Sequence, residues 1–236
     1  ITIIKENLVD KISKIKKIKE SSFYSIDKNI AGESHHKKIS RVSSFLKRNK
    51  YDYLFITAPE NIAWLLNIRG YDSPTSPIPN SNLLLTKEKH VFLIVEKNKT
   101  TKLLSEKKLK QNQIIDPKYI LDFFDKLKKG TILIDEKTCS LYFEKVIEKK
   151  LKIKKKEDPI YILKSIKNKI EIKNMINAHV IDGVALTKFI YWIKNLKKMN
   201  ITEVDAQNKL EQIRRMNSKY LFPVSYTHLT LPTKVT

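Results

Sequence analysis

From His35 to about Glu157 the chain alternates short β-branched or aromatic runs with stretches whose apolar residues recur at helical spacing. That alternation constrains the fold more than any other feature, because each period buries a different kind of surface. HHKKISRVSSFLKRN sets Ile39, Val42, Phe45 and Leu46 on one face of a helix. Residues 53–57 follow as a strand, and Pro59 can open the next helix at its first turn, where the missing N–H is not needed. That helix carries Ile62, Trp64, Leu65 and Leu66 and is expected to stop near Gly70, a residue free to turn left-handed. Pro74, Pro77 and Pro79 then exclude regular structure, since each lacks a donor and fixes φ. Strands are expected at 82–86 and 90–96, joined by a tight Lys87-Glu88-Lys89 turn, and at 113–115 and 131–135. Helices are expected near 118–128 and 140–150. The pattern predicts an α/β sandwich in which 53–57, 82–86, 90–96 and 131–135 share one largely central sheet.

After Asp158-Pro159 the character changes. Helical spacing persists from 168 to 199 without an internal proline, and Ile172, Ile176, Ile181, Ala185, Phe189, Trp192 and Leu196 fall where a buried face would lie. Thr202 is a suitable N-cap for a further helix through Arg215, with Asp205 as its acidic partner. At the other end, residues 1–34 read as a basic linker of weak helical character, closed by the break Ala31-Gly32-Glu33-Ser34.

Composition enters as a test of function classes. The formal net charge of +22 would ordinarily suggest a nucleic acid or an anionic surface. The lysines are spread over almost every polar segment, with clusters at 14–19, 107–110 and 152–156, and the chain's only arginines are Arg41, Arg48, Arg69, Arg214 and Arg215. Bidentate phosphate recognition favours arginine, so the charge reads as a solvated surface and no nucleic-acid partner is expected. The run 91–95 is far too short to cross a membrane, and no membrane partner is expected. A single cysteine, Cys139, excludes an internal disulfide and a thiolate zinc site, which points to a cytoplasmic protein. The chain begins at Ile1 as if inside a domain, so a preceding segment stays open.

Few residue groups invite chemistry. His35 and His36 stand together at a helix start but have no third ligand nearby, so they read as solvated. His179 reads as a core or interface histidine, Cys139 as a structural thiol and Trp64 as core packing. His228 falls in the tail and carries no functional weight. Glu171, Asp182 and Glu203 read as solvated carboxylates on helices. Arg69 and Asp72 are the polar pair of most interest, in a loop held by Gly70 and the prolines, where a local salt bridge is expected.

Several blocks, in order, resemble the three-domain form of aminopeptidase P, a metallopeptidase of the pita-bread family. NLVD at 7–10 is similar to the close of the first domain, although Ser13 replaces the tryptophan usual there. AGESHHKKI at 31–39 resembles the approach to the second domain, and ENIAWLLNIRGYDSPTSPI at 60–78 is the strongest match. DPIYILKSIKNKIEIKNMINAHVIDGVALTKFIYWI at 158–193 and ITEVDAQNKLEQIRR at 201–215 resemble the first two helices of the catalytic domain.

The resemblance implies an α/β creatinase-like domain, a mixed sheet flanked by helices, followed by the first helices of a pita-bread domain. It implies this division: 1–34, end of a first domain and linker; 35–157, second domain; 158–224, truncated start of the catalytic domain; 225–236, a non-native tail. It implies release of the N-terminal residue from peptides with proline second, by a homodimer using two divalent metal ions, manganese being typical. The family's five ligands, two aspartates, a histidine and two glutamates, would follow Phe222-Pro223, where the chain instead reads VSYTHLTLPTKVT. No catalytic or metal residue is therefore assigned, and this chain is expected to be inactive. Arg69 and Asp72 become candidates for a substrate-proximal position at the mouth of the catalytic domain. The alternatives are a prolidase-like dipeptidase, which has one domain before the catalytic one rather than two, and a non-catalytic pita-bread relative that binds peptides or proteins.

Overall fold

The structure, a computed structural model, describes residues 22–73, 75–196 and 201–223. The resemblance at 7–10 and the expected tail at 225–236 lie outside the described residues.

The expected sheet forms. Strands β1 (Tyr24–Ser25) and β3 (Ile68–Arg69) pair by themselves, antiparallel. The main sheet has six strands in the order β6-β5-β4-β2-β7-β8, with β2 at Tyr53–Ile56, β4 at Asn82–Thr86, β5 at Val91–Ile94, β6 at Ile114–Ile115, β7 at Thr131–Ile134 and β8 at Lys152–Lys155. It is mixed: β2–β4 and β4–β5 run antiparallel, while β2–β7, β5–β6 and β7–β8 run parallel. The central strands are apolar on both faces, as a sheet covered on both sides requires. Leu54, Ile56, Leu83, Leu85, Leu93 and Leu133 face one core, which helices His35–Arg48 and Pro59–Leu66 cover. Tyr53, Phe55, Leu84, Ile132 and Ile134 face the other, closed by helices Ile120–Lys126 and Leu141–Glu148. Phe55 meets Phe124 and Phe143 edge-on at 5.4 and 5.2 Å, geometry that adds to simple burial.

Two boundaries differ from expectation for identifiable reasons. Helix Pro59–Leu66 stops at Asn67, which adopts the left-handed conformation at φ 52°, and not at Gly70. Asparagine tolerates that region because its side chain bonds locally. Gly70 is small for another reason: a Cβ there would lie 2.9 Å from the Phe23 ring and 3.0 Å from the Ile78 carbonyl. The described part of the expected linker is also structured. Phe23 is wholly buried in the first core, and a short helix, Lys28–Ala31, ends at Gly32 with φ 73°.

Beyond Asp158, helix Ile160–Ser165 leads to the long helix Lys169–Lys194, which pairs with helix Glu203–Arg215. The Thr202–Asp205 capping box forms as the sequence predicts. The expected buried face is realised only in part. Ala185 and Phe189 pack with Leu210 and Ile213 around a half-buried Trp192, whereas Ile172 and Ile176 are exposed because the second helix covers only the far half of the first. Gly32 sits against the N-terminus of the long helix. There Asn168 caps the amides of Ile170 and Glu171 and donates to the Ala31 carbonyl, and Asn174 donates to that of Ile30.

Candidate functional site

Arg69 and Asp72 lie three residues apart but take different partners, which corrects the expected salt bridge. Arg69 sits on β3 opposite Tyr24, and its Nη1 donates to the carbonyls of Ile68 at 2.8 Å and Ala63 at 3.2 Å. Ala63 lies in the last turn of helix Pro59–Leu66, where unsatisfied carbonyls attract a cation. Asp72 pairs instead with Lys99 at 3.2 Å, and its second oxygen accepts from the Asn80 amide at 2.8 Å. Both side chains of the Asp72–Lys99 pair are largely withdrawn from solvent, so the pair clamps the two ends of the proline-rich loop to the first core. Tyr71 stacks on Tyr24 with ring centroids 5.3 Å apart and meets Phe222 edge-on at 6.2 Å. Burial and the Tyr71 hydroxyl push the Tyr24 phenol up to about 12, so it stays protonated.

Beside this loop lies a residue that the sequence reading passed over. Lys38 is 1% exposed, with its Nζ 2.7 Å from Asn67 Oδ1, 3.0 Å from the Trp64 carbonyl and 4.2 Å above the Trp64 ring. Asn67 Nδ2 in turn donates to the Glu33 carbonyl at 2.7 Å. Lys38 and Asn67 together thus tie the end of helix Pro59–Leu66 to helix His35–Arg48 and to the turn that precedes it. Burial lowers the Lys38 pKa to about 8, opposed by the charges of Glu171 and Glu33. Its signal was the spacing Lys38, Val42, Leu46, which puts the lysine on the apolar stripe. Trp64 packs against the core as expected, under both Lys38 and Arg41.

A second buried polar network joins the sheet to the segment that follows it. Asp158, 3% exposed, accepts from Asn61 Nδ2 at 2.7 Å and from the Ile160 amide at 2.9 Å, while its own amide donates to Asp135 Oδ2 at 3.0 Å. Lys164 Nζ reaches Asn61 Oδ1 at 2.6 Å, and Tyr161 donates to Glu60 at 3.1 Å. Burial raises the Asp158 carboxyl to about 6, against the lowering effect of the Ile160 and Asn61 hydrogen bonds. Because the folded state holds this proton more tightly than the unfolded chain, the contribution is full below the ordinary carboxylate pKa. It is lost as pH rises through about 6. Stability of the chain relative to Asp158→Asn should therefore fall by about 2–3 kcal/mol between pH 4 and 7. Urea denaturation of both proteins across that range reads it directly, and parallel curves would contradict it.

The remaining candidates do not converge. His35 is half-buried and stacks on His36 with centroids 3.9 Å apart. Burial, with the charges of Lys108 and His36, lowers the His35 imidazole to about 4 and leaves it neutral. Of the core and interface positions expected for His179, the core one is not realised: it is exposed, since no described residue covers that turn of the long helix, and Nδ1 lies 2.8 Å from the Met175 carbonyl. Burial pushes the Cys139 thiol up to about 11, the opposite of what a nucleophile needs. Two carboxylates expected to be solvated have partners: Glu171 accepts from the Asn168 amide, and Asp182 holds Arg214 through two hydrogen bonds of 2.6 and 2.9 Å. Glu203 is exposed. Among the described residues, no three histidine, cysteine, aspartate or glutamate side chains come together as a metal site. These residues do not fit a metal pair, and no hydrolytic step is derived from them. The described arrangement is a scaffold with a pinned loop at one end.

Comparison with known proteins supplies what the site alone does not. The family described as "Creatinase/Prolidase N-terminal domain" matches residues 14–171. Xaa-Pro aminopeptidase 1 of Dictyostelium discoideum is 28% identical over 229 residues, covering 92% of this chain and 36% of that protein. A probable Xaa-Pro aminopeptidase P of Aspergillus niger is 32% identical over 204 residues, 80% of this chain and 33% of that protein. The chain thus spans about a third of the length of these curated relatives. Among solved structures, the X-prolyl aminopeptidase of Caenorhabditis elegans, a cytosolic enzyme with a di-nuclear active site, superposes with a TM-score of 0.77. It covers 93% of this chain and 37% of its own at 21% identity, a likeness of fold. The Xaa-Pro dipeptidase of Bacillus anthracis superposes at 0.59 over 78% of this chain and 49% of its own, at 16% identity. The mixed sheet with helices on both faces and the match across it agree, and the chain belongs to the creatinase/prolidase N-terminal domain family.

Proposed function

We propose that this chain is part of a metal-dependent Xaa-Pro aminopeptidase, a hydrolase that releases the N-terminal residue from peptides with proline in second position. The observation that carries the reading is the alignment with two Xaa-Pro aminopeptidases over 92% and 80% of the chain. In this reading residues 35–157 are a creatinase-like domain, 158–224 begin the catalytic domain, and the loop bearing Arg69 and Asp72 lies near the bound peptide. The whole protein acts in the cytoplasm as a homodimer with two divalent metal ions, manganese the expected one, held by residues other than those described here. A hydroxide generated between such ions is the nucleophile that this class of hydrolysis requires.

Two measurements test the proposal together. The purified chain, given a proline-second peptide with and without manganese, should release no N-terminal residue above a blank; metal-dependent turnover would overturn the assignment of the chemistry to other residues. Reading the coding sequence beyond Pro223 should reveal two aspartates, a histidine and two glutamates, and the longer protein should cleave the same peptide. A longer protein that lacks them, or binds the peptide without cleaving it, would favour a non-catalytic relative.

A further inference from the structure

On the flank of the first core, the outer face of helix His35–Arg48 and residues 156–163 enclose an open groove of about 750 Å³. Its floor is apolar, from Phe45, Pro159, Ile162 and Leu163, and Ile162 is 63% exposed. Its rim carries Arg41, Arg48 and Lys156. We propose that this groove docks an acidic peptide segment carrying an aliphatic or aromatic side chain, a partner outside the activity proposed above.

The charges decide the kind of occupant. The two carboxylates that also line the groove are already engaged: Asp158 with Asn61 and the Ile160 amide, Glu157 with Lys137 at 3.7 Å. Arg41 is paired with Glu33 at 2.6 Å, but neither Arg48 nor Lys156 forms an ion pair with a described residue. Two cations beside an apolar floor are complementary to a hydrophobic side chain flanked by carboxylates. The chain's own residues 1–21 are a poor fit, since they hold six lysines against three carboxylates. A second copy meeting it groove to groove would set Arg41, Arg48 and Lys156 against their own equivalents.

The test uses the full chain and a fluorescein-labelled peptide, Asp-Glu-Leu-Phe-Glu-Asp, followed by anisotropy at physiological salt. A chain this basic attracts any acidic peptide weakly, so the controls matter. Arg48→Glu should weaken binding about tenfold more than Lys145→Glu, which makes the same charge change on a helix over the opposite face of the sheet. Ile162→Ser, which changes no charge, should weaken it about tenfold, as should replacing Leu-Phe in the peptide by Gly-Gly. Equal losses for the two charge variants, or no loss for Ile162→Ser, would show non-specific attraction and overturn the proposal. Arg48 and Ile162 are exposed, and the matched pair Arg48→Gln and Lys145→Gln replaces the glutamate variants if Arg48→Glu lowers the melting temperature.

Discussion

Truncation of Phe23 to alanine is expected to lower the stability of the chain by about 3–5 kcal/mol, the usual cost of emptying a fully buried phenylalanine site. Phe23 has no exposed surface, its amide donates to the Lys99 carbonyl at 2.8 Å, and the Lys99 ammonium lies 5.9 Å from its ring. Gly70 is pressed against the same ring, so the site holds the proline-rich loop as well as the core. The cavity cannot collapse easily, because β1 and β3 fix the backbone on two sides. Urea denaturation would show the loss as a lower midpoint at unchanged slope. A change under about 1 kcal/mol would mean that residues 22–25 are a detachable extension of the sheet domain.

Replacement of Gly32 by alanine is expected to cost about 3 kcal/mol, from three sources that act at one point. Its φ of 73° disfavours any L side chain. A Cβ would lie 2.6 Å from Asn168 Cγ and Nδ2, and closer still to Oδ1. Asn168 would then have to leave both its cap on the long helix and its bond to the Ala31 carbonyl. The companion variant Asn168→Gly keeps much of the capping tendency and removes the obstruction. Introduced together with Gly32→Ala, it should cost less than the sum of the two alone, which a double-mutant cycle reads as coupling. Additive losses would mean that strain in the left-handed turn accounts for the whole effect.

The sheet was legible because short continuous apolar runs bounded by turns have few alternatives once both faces are covered; the strands expected at 53–57, 82–86, 90–96, 113–115 and 131–135 are β2, β4, β5, β6 and β7. β8 was not legible. KIKK reads as a solvated lysine cluster, and only its parallel pairing with β7 makes it a strand. β1 and β3 were missed because two residues carry no periodicity and Tyr-Ser and Ile-Arg lack the paired β-branched residues that mark β6. In the candidate site, Arg69 and Asp72 stood out in the sequence as the polar pair of a loop held by Gly70 and the prolines, but their partners could not be read there. Lys99 and the Ala63 carbonyl are brought there by the fold, and nothing in the local sequence points to either. Ile172 and Ile176 carry the spacing of a buried face and stand exposed, because spacing reports what a helix can pack against and not what is present.

The two ends of the main sheet limit how this unit can be joined to anything else. At one end β6 offers only Ile114 and Ile115 between 3₁₀ turns; at the other β8 presents Lys152, Lys154 and Lys155, the last paired with Glu144. A strand too short to template and a strand studded with like charge both resist lateral growth. Both borders therefore disfavour a foreign strand, and a surface that meets this sheet is expected to come to the helices and loops on its two faces.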